Sequence, residues 1–523
     1  MLATRQRPEF PLLIKMNIYR NVTAFFSPFI RGYVCVFRRY IYKKEDAILS
    51  RFQERLGIYI KMDVMTKPQP GIKSPSIWIH AASIGESMTA LDLVNALRQR
   101  AESNTLGVLL TVGTVNAKKT VEKKYIAQQQ DREVDTASTN GDPRLKFECI
   151  YAPIDVPRTV TSFFEHYSPA CGIFIESELW PNLICEASKR NIPLALLNAR
   201  LSEKSYSRWN KFKFSQRLFQ ETVDNFNTIQ CQTVKDAARY TRLGANPNRT
   251  KVFGNMKIMS GYDRNHQSKS WFKRNKEAPL LQERQTLENI LCQYKREEIL
   301  VIVGGSTYEE DETLLLALHQ LLIRKMEKKT SKRILSIIAP RKTDHVGSLK
   351  RHIKKRGLKA LQWSSIHMGI SNSDNTSKHV HEDPDVLLID TVGILCLLYE
   401  NADCIYVGGG LTPESVGGHN FMEALSAKYN SSRPMTVFTG SCLSLNMEAM
   451  IEVLEKHGCE VPNQVSEDGK CGAHEIYRIL ESRLSKNEES SGKFKATKAS
   501  VENVQDELIE NILADLKLSK VLS

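Results

Sequence analysis

The chain has 523 residues, 41% of them hydrophobic, and its 73 Lys and Arg outnumber its 59 Asp and Glu to give a net charge of +14. This composition excludes a disordered chain, and the length predicts about two to four domains. The positive charge favours an anionic partner, namely nucleic acid, a membrane surface or a phosphate-bearing substrate. The 11 Cys include no C-x-x-C pair, so neither a zinc framework nor a disulfide-rich secreted scaffold is indicated.

The first 44 residues form a basic amphipathic segment. They carry nine Lys or Arg and one acid, Glu9, interleaved with apolar residues such as Phe25, Phe26 and Phe29. Because Arg residues interrupt the only long apolar stretch, the sequence excludes a polytopic membrane protein. Such a segment is typical of a mitochondrial transit peptide or of a helix lying on an anionic bilayer. A solvated helix packed on the main body is the third interpretation.

From Ile77 onward, short apolar runs alternate with helical patterns, which predicts parallel βα units. The runs that predict strands of a first half are 77–80, 108–112, 173–175 and 194–197. Those of a second half are 299–303, 334–338, 386–389, 404–407 and 435–438, with a helix predicted at 313–326. We therefore predict an α/β protein of two doubly wound, Rossmann-like halves facing each other across a cleft, with ligands at the carboxyl ends of the strands.

The composition shifts along the chain predict five segments. They are a targeting or membrane-associating segment at 1–44, a first Rossmann-like domain at 45–259, a linker at 260–298, a second such domain at 299–484, and a polar linker with a C-terminal helix at 485–523. Two polar inserts without periodicity, 128–146 and 364–383, predict surface loops.

Candidate functional residues of the first half stand where predicted strands end. The small-residue loop 81–86 brings Glu86 to the start of a helix, where a carboxylate can act as a general base toward a hydroxyl or simply complement the helix dipole. Glu176 and Glu178 follow another predicted strand and precede a Trp-Pro pair. An ordinary helix cap with an anchoring aromatic residue has the same pattern.

The second half contains two glycine loops at predicted strand ends. In the first, Gly304 and Gly305 would let backbone N–H groups approach a phosphate, and Ser306 and Thr307 would add hydroxyl donors. The second loop, 407–410, leads through residues 417–420 to a helix whose first turn carries Glu423. An acid there suits the two hydroxyls of a ribose. A glycine loop followed by an acid favours a nucleotide site.

Six motifs, in this order and at these spacings, resemble those of the 3-deoxy-D-manno-octulosonic acid (Kdo) transferases. They are WIHAASIGE at 78–86, ESELWPN at 176–182, NARLS at 198–202, GNMK at 254–257, PR at 340–341 and GGHN at 417–420. The resemblance implies the two-domain GT-B glycosyltransferase fold. It also implies transfer of Kdo from CMP-Kdo, a co-substrate rather than a cofactor, to a lipid A precursor, and contact of the N-terminal segment with a membrane surface.

The resemblance also implies roles for individual residues. Glu86 matches the base proposed to deprotonate the acceptor hydroxyl in an inverting direct displacement. Donor binding is implied for Lys257, Ser306, Thr307, Arg341, Gly418, Asn420 and Glu423, and acceptor binding for Ser83, Glu176, Glu178 and Arg200. From the residues alone, Lys257 is equally a surface lysine, and Arg341 a helix-start arginine paired with Asp344. No metal site is predicted, because no Asp-x-Asp pair suited to a sugar nucleotide stands at a strand end.

Four positions of the donor half depart from the family pattern. Tyr308 and Lys342 stand where members have His, Ile394 stands where they have Glu, and Phe421 begins the stretch where they have Pro-Leu-Glu-Pro. With the polar inserts, these departures favour a eukaryotic, plant-like member. The resemblance then implies a mitochondrial protein peripheral to the inner membrane, the cytoplasmic face of another membrane being the alternative.

Two other functions stay open. One is a GT-B homologue that uses another activated sugar or has lost activity, which the four departures motivate. The other is a basic membrane- or nucleic-acid-binding protein without catalysis, which only the charge motivates. Beyond the first 44 residues we find no stretch of aromatic residues interleaved with Lys and Arg, so no nucleic-acid partner is expected.

Overall fold

The structure is a computed structural model that describes residues 13–30, 53–58, 77–98, 105–135, 144–259, 278–326, 333–366, 383–391, 393–413, 417–430, 435–485, 506–507 and 509–515. The chain divides into two compact units. The first comprises Met1–Met259 with Asp506–Ser523, and the second comprises Ser260–Gln505. Each unit is built on a seven-stranded sheet.

In the first unit the sheet is entirely parallel, in the order β3-β2-β1-β4-β5-β6-β7. Its strands are β1 Ile77–Ala81, β2 Thr105–Val112, β3 Arg144–Tyr151, β4 Cys171–Ile175, β5 Leu194–Ala199, β6 Thr228–Cys231 and β7 Thr250–Val252. Its helices are α1 Leu13–Phe25, α2 Ile84–Arg98, α3 Val115–Asp135, α4 Pro157–His166, α5 Pro181–Lys189, α6 Glu203–Asn210, α7 Lys213–Val223 and α8 Val234–Arg242, with 3-10 turns at Pro247–Arg249 and Met256–Met259.

In the second unit the sheet is again parallel, in the order β10-β11-β9-β8-β12-β13-β14. Its strands are β8 Leu300–Thr307, β9 Ile334–Pro340, β10 Ala360–Gln362, β11 Val386–Leu388, β12 Cys404–Val407, β13 Thr436–Gly440 and β14 Asn463–Val465. Its helices are α9 Ala278–Arg296, α10 Glu309–Met326, α11 Val346–Lys355, α12 Leu395–Glu400, α13 Met422–Asn430, α14 Leu445–Lys456 and α15 Gly469–Ser485, with a 3-10 turn at Thr343–His345.

The central strands are buried because helices cover both faces of each sheet. Every residue of β1, β4 and β5 is buried, as expected for parallel strands with near-continuous apolar sequences. In the first unit the Trp78 ring lies 5.1 to 5.5 Å from the rings of Phe163, Phe164 and Phe174, which joins α4 to β1 and β4. Full burial of each such side chain contributes about 2 to 3 kcal/mol.

The predicted fold class is confirmed. Both units are doubly wound α/β structures of the Rossmann type, as in the GT-B fold. Each sheet changes winding direction once, between β1 and β4 in the first unit and between β8 and β12 in the second. At such a switch point the helices that follow the two strands diverge to opposite faces, which leaves a crevice at the carboxyl ends of the strands.

Several predicted boundaries differ from the structure. The surface loop predicted at 128–146 is wrong at both ends, because α3 continues to Asp135 and β3 begins at Arg144. As an edge strand, β3 alternates apolar and polar residues and so lacks the continuous apolar run of the central strands. The other strands that the sequence analysis missed, β6, β7, β10 and β14, have four residues or fewer. Residues 367–382 of the second predicted loop lie outside the described residues.

The linker predicted at 260–298 contains a helix, and residues 509–515 fall within the segment 485–523 for which a C-terminal helix was predicted. Residues 278–296, assigned to a polar linker, form α9 of the second unit. Residues 509–515 are helical and belong to the first unit. There the Asp515 carboxylate accepts hydrogen bonds from Thr228 (2.9 Å) and Gln230 (3.3 Å) and pairs with Lys251 (2.7 Å).

Within the N-terminal segment predicted at 1–44, residues 13–30 are described, and α1 packs on the first unit. The Tyr19 hydroxyl donates to Asp155 (3.1 Å), Arg20 pairs with Glu186 (3.2 Å), and Asn182 donates to the Thr23 hydroxyl (3.1 Å). The opposite side exposes Ile18, Val22, Phe25, Phe26 and Phe29. In the described part of the chain, every helix is too short or too polar to cross a bilayer.

Asp155 links α1 to the start of α5 and should make stability depend on pH. Its carboxylate accepts hydrogen bonds from Tyr19 and from the N–H groups of Asn182 (3.2 Å) and Leu183 (2.8 Å). Burial raises the pKa of Asp155 to about 6, although these hydrogen bonds oppose the shift. A carboxyl whose pKa is higher in the folded than in the unfolded state favours folding at low pH. Its contribution is lost as pH rises from about 4 to about 6, by roughly 3 kcal/mol.

Denaturant unfolding at several pH values between 4 and 7 tests this expectation. Asp155→Asn should flatten the dependence of the unfolding free energy on pH in this range, even though it lowers stability overall. The exposed Glu165 provides the control, since Glu165→Gln should leave the wild-type slope unchanged. An unchanged slope in Asp155→Asn would contradict the prediction.

Candidate functional site

Both switch points carry residues that the sequence analysis selected. In the first unit, Glu86 follows β1, and Glu176 and Glu178 follow β4. In the second unit, Ser306 and Thr307 end β8, and the glycines 408–410 follow β12. The candidate residues therefore occupy the position where doubly wound sheets bind ligands.

Glu86 caps α2, the helix in whose first turn it lies. Its Oε2 accepts hydrogen bonds from the N–H groups of Ala82 (2.7 Å) and Ser83 (3.2 Å), and Ser83 Oγ accepts one from the Glu86 N–H (3.3 Å). This reciprocal pair is a capping box at the N-terminus of α2. Oε1 has no hydrogen bond from any described residue. One oxygen thus serves the helix, and the other can contact a ligand.

Glu176 lies among acidic and basic side chains. It has a left-handed backbone, with φ of 64°. Burial raises the pKa of Glu176, the neighbouring Glu86 raises it further, and Lys257 and Arg200 oppose the shift. Ser177 Oγ donates to the Arg200 carbonyl (2.5 Å), which joins the loops after β4 and β5. Lys257, predicted to bind the donor, thus lies in the first unit beside residues predicted to bind the acceptor.

Glu178 anchors the turn that leads into α5. Its Oε2 accepts a hydrogen bond from Trp180 Nε1 (2.6 Å) and lies 3.8 Å from His80 Nε2. Burial opposes ionisation of Glu178, but its contacts with His80 and Trp180 outweigh burial and lower its pKa. The fully buried His80, whose Nδ1 lies 2.9 Å from the Thr111 hydroxyl, was not selected from the sequence. The signal that could have identified His80 is its position as a polar residue in the otherwise apolar strand Ile-Trp-Ile-His.

In the second unit, close packing accounts for the glycines of β8. A Cβ atom at Gly304 would collide with the Leu315 side chain, and one at Gly305 with the Tyr399 hydroxyl. These glycines therefore let α10 and α12 approach the sheet. Ser306, the next residue, has a left-handed backbone with φ of 56°, and Thr307 is buried.

Asp311 joins the loop after β8 to the glycine loop after β12. Its Oδ2 accepts hydrogen bonds from the N–H groups of Tyr308 and Gly409 (both 2.9 Å), and its Oδ1 accepts one from the Tyr406 hydroxyl (2.9 Å). Burial raises the pKa of Asp311, and these three hydrogen bonds oppose the shift. Sequence analysis did not select Asp311. The signal was its helical spacing from Leu315 and Leu318, which places Asp311 on the buried face of the helix.

Arg341 lies beside Thr307 at the adjacent strand end. Its side chain is exposed, and its backbone N–H donates to the Thr307 carbonyl (3.0 Å). The buried Glu312 contacts the Thr307 hydroxyl (3.3 Å) and His345 Nε2 (3.0 Å). The described side chains of Arg341 and Asp344 form no ion pair, so Arg341 is available to an anionic ligand.

The remaining donor candidates surround the start of α13. Gly418 has φ of 84° and donates its N–H to the Gly409 carbonyl (2.6 Å), and Asn420 Oδ1 accepts from the Met422 N–H (3.1 Å). Glu423 is exposed in the first turn, with its Oε2 3.9 Å from Cys396 Sγ.

The four departures from the family pattern have different surroundings. The Tyr308 ring stacks on His419, with centroids 5.7 Å apart and planes 9° apart, while Lys342 is exposed. Ile394 and Phe421 are buried. Two of the four therefore contribute to the core rather than presenting polar groups. Among the described residues, no three His, Cys, Asp or Glu side chains are grouped as a metal ion would require.

Comparison with known proteins gives one family. The family model described as 3-deoxy-D-manno-octulosonic-acid transferase (kdotransferase) matches residues 50–260. A 3-deoxy-D-manno-octulosonic acid transferase of Haemophilus influenzae is 28% identical over 397 residues, covering 76% of this chain and 76% of that protein. An Arabidopsis thaliana protein named "probable 3-deoxy-D-manno-octulosonic acid transferase, mitochondrial" is 26% identical over 414 residues, covering 79% of this chain and 77% of that protein.

Other matches are more partial. A bifunctional glycosyltransferase/methyltransferase of Fusobacterium nucleatum is 26% identical over 67% of this chain, which spans only 45% of that protein's length. Among solved structures, the C-terminal CMP-Kdo binding domain of a protein from Acinetobacter baumannii matches 42% of this chain and 97% of that domain, with 17% identity and a TM-score of 0.31.

Asp311 should be essential to the second unit. Asp311→Ala leaves two buried N–H groups and one phenol without their acceptor, so we expect a loss of roughly 3 kcal/mol or more in unfolding free energy. Hydrogen exchange at the Tyr308 and Gly409 amides should accelerate. Tyr406→Phe removes only one of the three hydrogen bonds and should cost about 1 to 2 kcal/mol. Equal effects of the two substitutions would contradict this account.

Proposed function

The chain belongs to the 3-deoxy-D-manno-octulosonic acid transferase family, and we propose that it transfers Kdo from CMP-Kdo to a lipid A precursor of the lipid IVA type. The observation that carries this proposal is the cluster at the switch point of the first unit. There Glu86 keeps one carboxylate oxygen free of described partners and lies close enough to Glu176 to raise its pKa. Arg200 and Lys257 supply positive charge to the same cluster.

The proposed reaction is a single displacement with inversion. The acceptor hydroxyl oxygen attacks the anomeric carbon of Kdo as the bond to the CMP phosphate breaks, and CMP leaves with the bonding electrons. The hydroxyl proton passes to Glu86, whose Oε1 is the available oxygen. The scheme needs one base and no covalent intermediate, and because CMP is already a good leaving group it includes no metal or cofactor.

We assign donor binding to the switch point of the second unit. CMP-Kdo carries a phosphate and a carboxylate, which call for cations and N–H donors. Arg341 has an exposed guanidinium at the end of β9, and Ser306 and Thr307 lie at the end of β8. Gly418, Asn420 and the exposed Glu423 lie around the start of α13, where an acid suits ribose hydroxyls. Lys257 lies in the first unit, and its predicted role in donor binding stays a prediction.

A different activated sugar, or loss of activity, is the second candidate function. The observation that favours it is the burial of Ile394 and Phe421, where family members carry Glu and begin a Pro-Leu-Glu-Pro stretch. At Ile394 the second unit therefore lacks an acid that the family pattern contains, and at Phe421 it lacks a Pro.

Substitution of Glu86 separates its two roles. Gln retains the capping box, because Gln can also accept from the N-cap backbone, but it cannot act as a base. Glu86→Gln should therefore lower kcat for transfer by about 10²- to 10⁴-fold while CMP binding and the unfolding midpoint stay near wild type. Glu86→Ala should lose the same activity and about 1 kcal/mol of stability as well. Transfer from freshly generated CMP-Kdo to a tetra-acylated lipid A precursor is the assay.

The outcomes distinguish the candidates. Full activity of Glu86→Gln would show that Glu86 acts only as a helix cap and not as the base. If the wild type binds CMP but transfers nothing, the acceptor differs or the enzyme is inactive. If it does not bind CMP, the donor differs.

We also propose that the carboxyl side of the first unit faces an anionic membrane. Along α1, the Met16 N–H contacts Glu221 near the end of α7, whereas Thr23 contacts Asn182 at the start of α5. Since α7 leads back to the start of β6, α1 runs toward the carboxyl side of the sheet. The exposed Phe25, Phe26 and Phe29 therefore project from the side that carries Glu86.

The connection between α6 and α7 extends the proposed membrane surface. Phe212 is 62% exposed and Phe214 is 41% exposed. They are accompanied by five exposed cations, Lys204, Arg208, Lys211, Lys213 and Arg217. The expectation that no aromatic residues alternate with Lys and Arg beyond the first 44 residues is therefore wrong for residues 204–217. Aromatic residues with surrounding Lys and Arg suit the interface of an anionic bilayer. The Arabidopsis relative is named as mitochondrial, which supports a mitochondrial location, and the inner membrane is our proposal for the surface that this side contacts.

Vesicle flotation of the full chain tests the membrane proposal. Lys211→Glu/Lys213→Glu should weaken binding to phosphatidylcholine vesicles containing phosphatidylglycerol by at least about tenfold, since each cation near an anionic surface contributes about 1 kcal/mol. Phe25→Ser/Phe29→Ser should weaken binding to the same vesicles. Lys354→Glu/Lys355→Glu makes the same charge change on the second unit and should have little effect. An equal loss in this control would show that net charge, not this surface, governs binding.

A further inference from the structure

Asn198 occupies an unusual position at the end of β5. Its backbone is left-handed, with φ of 55°, and the register between β5 and β6 shifts across Leu196 to Ala199. The side chain is buried, with 1% exposure. Such an irregularity at a strand end redirects side chains, and Asn tolerates the left-handed conformation better than most residues.

The Asn198 side chain holds the 3-10 turn that contains Lys257. Its Oδ1 accepts a hydrogen bond from the Met256 N–H (2.9 Å). Its Nδ2 is buried without a hydrogen-bond partner among the described residues, so the fold uses the oxygen. Next to it, the buried Asn255 accepts a hydrogen bond from the Lys257 N–H at its Oδ1 (3.0 Å). The backbone that carries Lys257 is therefore fixed at two successive N–H groups.

The position of Lys257 matters because Glu176 receives opposing charges from several elements. Glu86 acts from α2, Arg200 from the loop after β5, Lys257 from the 3-10 turn, and Glu178 from the same loop as Glu176. Burial, Glu86 and Glu178 favour a neutral Glu176, whereas Lys257 and Arg200 favour its carboxylate. A small displacement of Lys257 would change this balance.

We propose that Asn198 is a positioning residue that holds the Met256–Met259 turn on the sheet edge and thereby places Lys257 beside Glu176. The proposed function gives this cluster its reaction, so the effect of Asn198 on transfer rests on that function. The placement of Lys257 is a property of the first unit alone and can be measured without an active enzyme.

The test compares Asn198→Gly, Lys257→Met and the double variant. Gly accepts the left-handed backbone at no steric cost but has no amide oxygen, so it separates the hydrogen bond from the conformation. In the full chain labelled with ¹³C-glutamate, the Glu176 carboxyl signal is assigned by its loss in Glu176→Gln and is followed through a pH titration. Lys257→Met should raise the pKa of Glu176, Asn198→Gly should raise it too, and the double variant should add nothing beyond Lys257→Met.

Two further variants separate positioning from general destabilisation. Thr233→Ala removes the cap of α8 after the neighbouring strand β6, since Thr233 accepts from the Asp236 N–H (3.0 Å), and it should leave the Glu176 titration unchanged. Asn198→Asp keeps an acceptor oxygen, so the Met256 amide should stay protected from hydrogen exchange, whereas Asn198→Gly should expose it.

An unchanged Glu176 titration in either Asn198→Gly or Lys257→Met would overturn the proposal, as would additive shifts in the double variant. Where transfer is measurable, kcat/KM should be non-additive in the same cycle. Absence of transfer by the wild type would contradict the proposed function. It would not affect the titration result.

Discussion

The reversal of winding direction within each parallel sheet is the constraint on which the rest of the structure depends. All strands of a sheet end at one edge, and at β1/β4 and β8/β12 the following helices leave toward opposite faces. Backbone N–H groups at the helix starts therefore converge on a crevice without partners from the sheet. In this protein, carboxylates in the first helical turns accept hydrogen bonds from these N–H groups. The candidate functional residues stand at the same positions.

Glu86 and Asp311 show how one carboxylate can organise a site. The Oε2 of Glu86 accepts hydrogen bonds from two N–H groups of the preceding loop, and its Oε1 accepts none from any described residue. Asp311 gives both oxygens to the protein and ties the loop after β8 to the loop after β12. The two carboxylates differ in how many of their oxygens accept hydrogen bonds from the protein, and this difference separates their roles. A carboxylate with every oxygen engaged maintains geometry, whereas one with a free oxygen can exchange a proton.

The departures from the family pattern follow the same division between geometry and chemistry. Ile394 stands where the family pattern has Glu, Phe421 stands where it has Pro, and both side chains are buried. Tyr308 is accommodated by stacking on His419. The charged residues Glu86, Glu176, Arg200 and Lys257 of the first unit are not among the four departures. Change has therefore concentrated in the unit proposed to bind the donor.

The sequence by itself determined the central strands, the two doubly wound units and the strand ends near which Glu86, Glu176 and Ser306 lie, because continuous apolar runs and small-residue turns are local patterns. Only the tertiary structure decided the edge strands such as β3, the return of residues 509–515 to the first unit, and the duties of His80, Asn198 and Asp311. These features depend on which distant group a side chain reaches: Asp311 and Gly409 are 98 positions apart, and Asn198 and Met256 are 58. The spacing of residues along a chain predicts which face of a helix or strand is buried. It does not predict which distant residue contacts that face.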